Sequence, residues 1–284
     1  MKVGIFIVGA PKAGTTSLFH YLNAHPEIKM SSVKEPDYFS DKELFDQGLY
    51  YGTSRIDTLQ KYNSLFLGRK KEKLMGESSV SYLYYPEVPN RIKVYNTDSK
   101  IIVMLRNPVD RAFSHYLMDY RLGLTSESFE SEFHKKKGLN FQQYFLLGNY
   151  SSQVKRYIDV FGRENIHFIW YSDFKKDSEK QLNKVVDFIG LESDFRVDFD
   201  TIYNSFSMPK NNLIRMIYSV VWLRKLLTFL FPYSLVKSIK HLLFSKGNKP
   251  KLSDLTRGTV LEYYKSDIEK LEKLLSVNLS RWKK

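Results

Sequence analysis

Near the start of the chain the apolar run Val3 to Val8 ends in Gly9-Ala10-Pro11-Lys12-Ala13-Gly14-Thr15-Thr16-Ser17. Two glycines, a lysine and three hydroxyls in one short stretch suit an anion. A tight loop can turn its backbone N–H groups onto a phosphate, and a helix that opens there adds the positive end of its dipole. Phosphate loops of the G-x-x-x-x-G-K-[ST] kind place the lysine directly after the second glycine, where it reaches the β- and γ-phosphates of a triphosphate. In this chain Thr15 holds that slot, Thr16 falls in register, and Lys12 lies in the middle of the loop. A lysine so placed sits over a shorter nucleotide, which argues against ATP. Pro11, Lys12, Ala13, Gly14, Thr15, Thr16 and Ser17 are therefore the first binding set.

A second constellation follows the apolar run Ile101 to Leu105: Arg106-Asn107-Pro108-Val109-Asp110-Arg111-Ala112-Phe113-Ser114-His115-Tyr116. Open parallel sheets bind ligands at the carboxyl ends of their strands, which is where Arg106 would stand. Ser114 lies two helical turns further on, off the apolar stripe formed by Val109, Ala112, Phe113, Tyr116, Leu117 and Tyr120. An arginine fork with a hydroxyl suits a second phosphate. Two phosphate sites on two strand ends point to a nucleotide with phosphates at both ends of its ribose. Asp110 and Arg111 read as ion-pair partners of each other or of neighbours.

The elements that must position these residues alternate between strand and helix. Val3 to Val8, Ile101 to Leu105 and Ile166 to Trp170 read as buried parallel strands. A helix opens near Thr15 with Leu18, Tyr21 and Leu22 on its inner face and stops at His25-Pro26. Another carries Leu182, Val185, Val186 and Ile189 and ends at Gly190. A last helix shows Leu261, Tyr264, Ile268, Leu271 and Leu275 at helical spacing. The fold class expected is α/β: a P-loop-type three-layer fold with a central parallel sheet flanked by helices, plus a mostly helical C-terminal cap. One domain over residues 1–284 is expected, with 206–245 a helical insertion and 251–284 a helix returning to the core.

Composition narrows the partners. The 44 Lys and Arg against 31 Asp and Glu give a formal charge of +13, so a polyanion, an anionic membrane surface or an acidic ligand is a natural partner. There is no Cys, which removes disulfides, zinc-thiolate sites and a cysteine nucleophile, and suits a reducing compartment. Residues 1–9 read as a strand leading into the loop rather than as a signal peptide. Leu213 to Phe244 is apolar but studded with Arg215, Arg224, Lys225, Lys237, Lys240 and His241, and broken by Pro232. It reads as two short basic amphipathic helices, either packed as a cap or touching anionic lipid. A cytoplasmic protein is expected, with peripheral contact at the inner membrane surface through 213–244 as the second alternative. Nothing in the sequence indicates the oligomeric state.

The order of these motifs resembles the sulfotransferases that use 3′-phosphoadenosine 5′-phosphosulfate (PAPS), in their bacterial and heparan-type carbohydrate branch. Pro11 to Leu18 resembles that family's 5′-phosphosulfate loop, and Ile101 to Tyr116 its 3′-phosphate motif. Lys34-Glu35-Pro36-Asp37-Tyr38-Phe39 is similar to the acidic substrate-side motif, and Gly76-Glu77-Ser78-Ser79-Val80-Ser81-Tyr82 to the next segment of the substrate cleft. Tyr150, Gln153, Tyr171 to Phe174 and Leu279 to Trp282 agree as well. The resemblance covers most of the chain apart from 208–245. It implies PAPS as co-substrate, no metal, and transfer of a sulfuryl group to a hydroxyl of a carbohydrate, glycan or glycolipid. It implies no nucleic-acid partner.

On that resemblance Lys12 stabilises the leaving phosphate and Glu35 is the general base for the acceptor hydroxyl. The rivals are His20, which reads as a packed or capping residue, and His115, which reads as helping to shape the nucleotide site. Heparan-type relatives often carry a lysine in the segment matching Glu77 to Tyr82, where this chain has Ser78 and Ser79. Either Ser205 to Lys210 or Ser245 to Lys249 could be the late basic loop that closes on the 3′-phosphate. A small-molecule kinase would want lysine at Thr15 and a magnesium-holding Asp at a strand end. A nucleic-acid-binding module would interleave basic and aromatic residues without two phosphate loops.

Overall fold

The computed structural model describes residues 2–49, 55–67, 73–192, 195–199, 208–210, 214, 243–245 and 250–283. The core is a five-stranded sheet of β1 (Ile5–Gly9), β2 (Ile28–Met30), β3 (Leu74–Ser78), β4 (Lys100–Leu105) and β5 (Ile166–Trp170), in the order β2-β3-β1-β4-β5. Every pairing in it is parallel. Nearly every residue of β1 and β4 is inaccessible to solvent, the pattern of a sheet covered on both faces.

Strand order places the chemistry. All the strands point the same way, so the loops after their carboxyl ends meet along one edge of the sheet. The loop after the central β1 carries Lys12, and the turn after its neighbour β4 carries Arg106. On the other side of β1, the segments after β3 and β2 carry Ser79 and Glu35. The phosphate motifs thus flank β1 on one side and the acidic motif on the other.

The helices follow from local sequence. α1 (Thr15–Asn23) starts behind Gly14, whose φ of 95° is left-handed. That conformation favours glycine, and a Cβ on Gly14 would come within 3.2 Å of the Tyr171 ring. The next helices are α2 (Asp41–Asp46), α3 (Leu59–Ser64) and α4 (Val88–Tyr95). α5 (Pro108–Leu122) opens in a way that explains Asn107-Pro108. The Asn107 Oδ1 accepts from the N–H groups of Val109 at 3.0 Å and Asp110 at 3.3 Å, and proline fills the first position, where no donor is needed. Beyond it lie α6 (Phe129–His134), α7 (Gly138–Tyr144), α8 (Tyr150–Phe161), α9 (Tyr171–Lys176) and α10 (Ser178–Phe188).

The chain returns through α11 (Asp254–Leu275), which packs on α8 and α5. Tyr264 and Ile268 are buried there, and the Tyr264 hydroxyl donates to the Phe145 carbonyl at 2.8 Å. Leu261 is only half-buried. The short strands β6 (Met208–Pro209) and β7 (Phe244–Ser245) pair antiparallel. Most of the expected insertion, 206–245, with the basic segment 213–244 inside it, lies outside the described residues. Among the described residues no helix is long and apolar enough to cross a membrane.

Candidate functional site

The glycine loop and the Arg106 motif are joined directly. Arg106 Nη1 donates to the backbone carbonyl of Lys12 at 3.0 Å, across 94 residues of sequence. Lys12 itself has a left-handed φ of 66°, a conformation that costs a non-glycine residue about 1 kcal/mol or more and must be held by its surroundings. Arg106 is held in turn: its guanidinium lies 4.7 Å over the Tyr171 ring, and its own carbonyl accepts from the Tyr150 hydroxyl at 3.0 Å. Ala13 and Thr15 are buried, while Pro11, Gly14, Thr16 and Ser17 keep partial exposure at the loop and the first turn of α1. Ser114 is half-buried on α5, on the helix that Arg106 precedes.

The Lys12 side chain runs to α5, where Nζ lies 3.4 Å from the Met118 sulfur. Burial, with the nearby charges of Arg121 and Arg106, outweighs the opposing pull of Asp119 and Glu35, and its pKa falls to about 8. An ammonium in so cationic a neighbourhood is ready for an anion. Thr15, in the slot of the usual P-loop lysine, is buried at the start of α1 and offers a hydroxyl instead of a charge.

On the far side of β1, Glu35 is fixed by its backbone: φ is 61°, and its N–H donates to the Ser78 carbonyl at 2.9 Å, at the end of β3. Its carboxylate pairs with Lys34 and keeps 39% side-chain exposure. It therefore stands at an opening, with its charge felt by Lys12 and Asp37. The flanking Pro36 is buried, so the segment is a defined turn.

Beneath Glu35 lies a polar web. Glu77 is completely buried and accepts from the Tyr62 hydroxyl at 2.7 Å, the Tyr82 hydroxyl at 3.0 Å and Ser79 Oγ at 2.7 Å. Burial, the largest influence, raises its pKa to about 7 against these donors. Ser79 Oγ accepts from the Asp37 N–H at 3.0 Å, and Ser81 Oγ donates to Asp37 Oδ1 at 2.6 Å. Burial first, then the Glu35 charge, pushes Asp37 up to about 8. The serines that replace the heparan-type lysine have distinct fates. Ser79 joins this web, whereas the Ser78 hydroxyl is buried without a hydrogen-bond partner among the described residues.

Some expectations need revision. His115 is buried edge-on to Tyr144 at 5.6 Å and lies 3.3 Å from Arg111, with burial and the Arg111 charge holding it well below the ordinary histidine range. It is a buried, neutral ring, and the Lys12 charge is among those that lower it. Arg111 is not paired with Asp110. It is fully buried and donates to the carbonyls of Gln143, at 2.9 Å, and Tyr144. Asp110 instead meets Arg257 of α11 at 2.5 Å. His20 is half-buried on α1, with the Phe19 ring edge-on at 5.4 Å. The two segments weighed as a late basic loop adjoin at their described ends, where β6 pairs with β7. No cluster of three or more His, Cys, Asp or Glu suited to a metal occurs among the described residues.

Asp37, Ser81 and Asp119 were not singled out by sequence. Asp119 was legible in principle, since Arg111, His115 and Asp119 recur every four residues along α5. The other two sit in a loop web that has no period.

Comparison with known proteins bears on the family and the fold. Over 190 residues the chain is 27% identical to human heparan sulfate glucosamine 3-O-sulfotransferase 3B1, covering 66% of this chain and 45% of that protein. Mouse carbohydrate sulfotransferase 15 is 24% identical over 248 residues, covering 66% of this chain and 43% of the relative. The chain thus spans under half the length of these curated relatives. A crystal structure of a sulfotransferase from Alicyclobacillus acidocaldarius superimposes with a TM-score of 0.73 at 27% identity, covering 100% of both chains. Residues 3–215 match the sulfotransferase domain family, and the chain belongs to that family.

Proposed function

We propose that this protein transfers a sulfuryl group from PAPS to a hydroxyl of a carbohydrate, glycan or glycolipid acceptor. The observation that carries the proposal is the Arg106–Lys12 hydrogen bond, which joins two anion-binding strand ends into one site. A single adenosine with phosphates at 5′ and 3′ would use both. Pro11 to Ser17 would hold the 5′-phosphosulfate through backbone N–H groups and hydroxyls, and Arg106 and Ser114 the 3′-phosphate. The carbohydrate acceptor class is supported by the curated relatives, whose names carry heparan sulfate glucosamine and carbohydrate.

In the transfer the bond from sulfur to the 5′-phosphate oxygen breaks as a bond from sulfur to the acceptor oxygen forms. Lys12 neutralises charge that builds on the leaving phosphate oxygen, an interaction stronger in the transition state than before it. Glu35 accepts the proton of the acceptor hydroxyl. Lys34, its ion-pair partner, must yield or swing aside as that proton arrives. Adenosine 3′,5′-bisphosphate remains as product. A cytoplasmic location, with peripheral contact at the inner membrane surface through 213–244, belongs to the same proposal.

Calorimetric titration with adenosine 3′,5′-bisphosphate, ATP and duplex DNA tests the nucleotide assignment. Binding of the bisphosphate well above ATP and DNA is expected; tight ATP binding with indifference to the bisphosphate would overturn it. Labelled PAPS with a panel of glycan and glycolipid acceptors then identifies the acceptor.

A further inference from the structure

The loop lysine has a neighbour for which the chemistry above finds no use. Asp119 lies on α5, one turn past His115, and is only 4% exposed. Its Oδ2 accepts from the Tyr144 hydroxyl of α7 at 3.0 Å, while its Oδ1 is buried with no hydrogen-bond partner among the described residues. The adjacent residue, Met118, is the one whose sulfur touches Lys12 Nζ. A buried carboxylate oxygen left unsatisfied costs roughly 1–3 kcal/mol or more, so a cation within reach is its natural complement. Among the described residues no ion pair within 4 Å joins Lys12 and Asp119; from beyond that distance the Asp119 charge raises Lys12 and the Lys12 charge lowers Asp119.

We propose, resting on Lys12 as the cation at the leaving oxygen, that Asp119 is its positioning residue: before nucleotide arrives, the Asp119 carboxylate keeps the Lys12 ammonium charged and drawn onto α5, and the phosphosulfate then replaces it as counter-ion. The surroundings of both groups support this division of labour. Lys12 faces Arg121 and Asp119 from α5, Arg106 from the end of β4 and Glu35 from the segment after β2. Asp119 faces Tyr144 of α7, Lys12 of the loop, and Arg111 of its own helix. Near Lys12 the cations Arg106 and Arg121 disfavour the ammonium, and the carboxylates Asp119 and Glu35 favour it. Glu35 is committed to Lys34 and to the acceptor side. Asp119 is the buried one of the two carboxylates, and it lies on the helix where the ammonium rests.

The sign of the effect is fixed. Lys12 is pulled down to about 8 and Asp119 is pushed up to about 6, so near pH 7 both are charged, each with little margin. Removing the Asp119 charge lowers Lys12 further. A bound nucleotide, with its own phosphates against the lysine, cancels the difference. The pH dependence of kcat/KM for PAPS reports groups of the free enzyme, and that of kcat reports the complex, so the two profiles separate the states.

The wild-type protein is expected to lose kcat/KM above about pH 8. Lys12→Arg, whose guanidinium stays charged to far higher pH, should abolish that limb. Asp119→Asn should move the limb down by about one pH unit, lowering kcat/KM about fivefold at pH 8, and leave the alkaline limb of kcat where it was. Asp119→Glu should restore the wild-type profile. Tyr144→Phe removes the hydrogen bond to Oδ2 without removing the charge, and should leave the limb in place whatever it does to thermal stability. Where Asp119→Asn does not fold, Asp119→Ser provides a second neutral variant. A folded neutral variant whose kcat/KM limb coincides with wild type would overturn the proposal. A limb that persists in Lys12→Arg would overturn it at a different point, by showing that the lysine assignment beneath it is wrong.

Discussion

Arg106 and Lys12 meet through a side chain and a carbonyl: the Arg106 Nη1 lies 3.0 Å from the Lys12 oxygen. The arginine expected to hold a 3′-phosphate therefore also fixes the backbone of the residue expected to act on the 5′ side. If the proposed phosphate sites are occupied as inferred, this bond links the occupancy of one to the geometry of the other.

That link separates two residues of one motif. Arg106→Ala should raise KM for PAPS and also lower kcat, by roughly a hundredfold, because misplacing a reacting group by about 1 Å has that effect. Ser114→Ala, which touches no part of the loop in the hydrogen bonds seen, should raise KM with kcat close to wild type. Steady-state kinetics with PAPS varied at saturating acceptor would check the contrast. Equal kcat losses in both variants would contradict it.

Lys12 and Glu35 should divide along the reaction rather than along binding. Lys12→Ala should cut kcat about 10²–10³-fold, the usual scale for one charge-stabilising donor. Glu35→Gln should lose about 10²–10⁴-fold, the range for a general base, while affinity for adenosine 3′,5′-bisphosphate stays near wild type. Near-normal sulfation by Glu35→Gln would remove it as the base and turn attention to Asp37, 2.6 Å from Ser81 Oγ in the same web.

Gly14 offers a test of the loop that leaves every charge in place. Its φ of 95° strains any side chain there, and a methyl group would press the Tyr171 ring at 3.2 Å, so the ring would have to give by a few tenths of an ångström. Gly14→Ala should weaken bisphosphate binding about tenfold, equivalent to ~1.4 kcal/mol, without changing which nucleotide is preferred. Calorimetry on the purified variant measures this directly.

The sheet was legible in sequence only in part, for a physical reason. β1 and β4 are mostly apolar runs, as strands buried on both faces must be. The edge strand β5 is apolar enough to read the same way, although three of its residues are only partly buried. β2 has only three residues, and β3 ends in Glu77-Ser78, whose polarity serves the site and hides the strand. The glycine loop before α1 and the Arg106 turn before α5 were equally readable as strand-to-helix junctions, because glycine spacing and such a junction are local features. The partners of Arg111 and Asp110 were not, since one finds carbonyls on α7 and the other an arginine 147 residues away. Asp119 was legible only in its place on α5, through the four-residue recurrence with Arg111 and His115; the role proposed for it depends on a loop 107 positions earlier.

The buried carboxyls also predict how stability responds to pH. Glu77 is held by Tyr62, Tyr82 and Ser79, and burial raises it to about 7. A carboxyl raised above its unfolded value of about 4.3 binds a proton more tightly in the folded state. Stability therefore decreases as pH rises from that value through about 7, the slope following the excess of protons on the folded chain. The total from Glu77 is at most ~4 kcal/mol at about 1.36 kcal/mol per pH unit. Asp37, raised to about 8, and Asp119, raised to about 6, act in the same direction. Glu77→Gln keeps the shape but cannot ionise. Its melting temperature should fall less between pH 5 and pH 8 than that of wild type. The difference isolates Glu77, because the other two carboxyls are present in both proteins; parallel melting profiles would show that Glu77 is ionised throughout and that its three hydroxyl donors outweigh its burial.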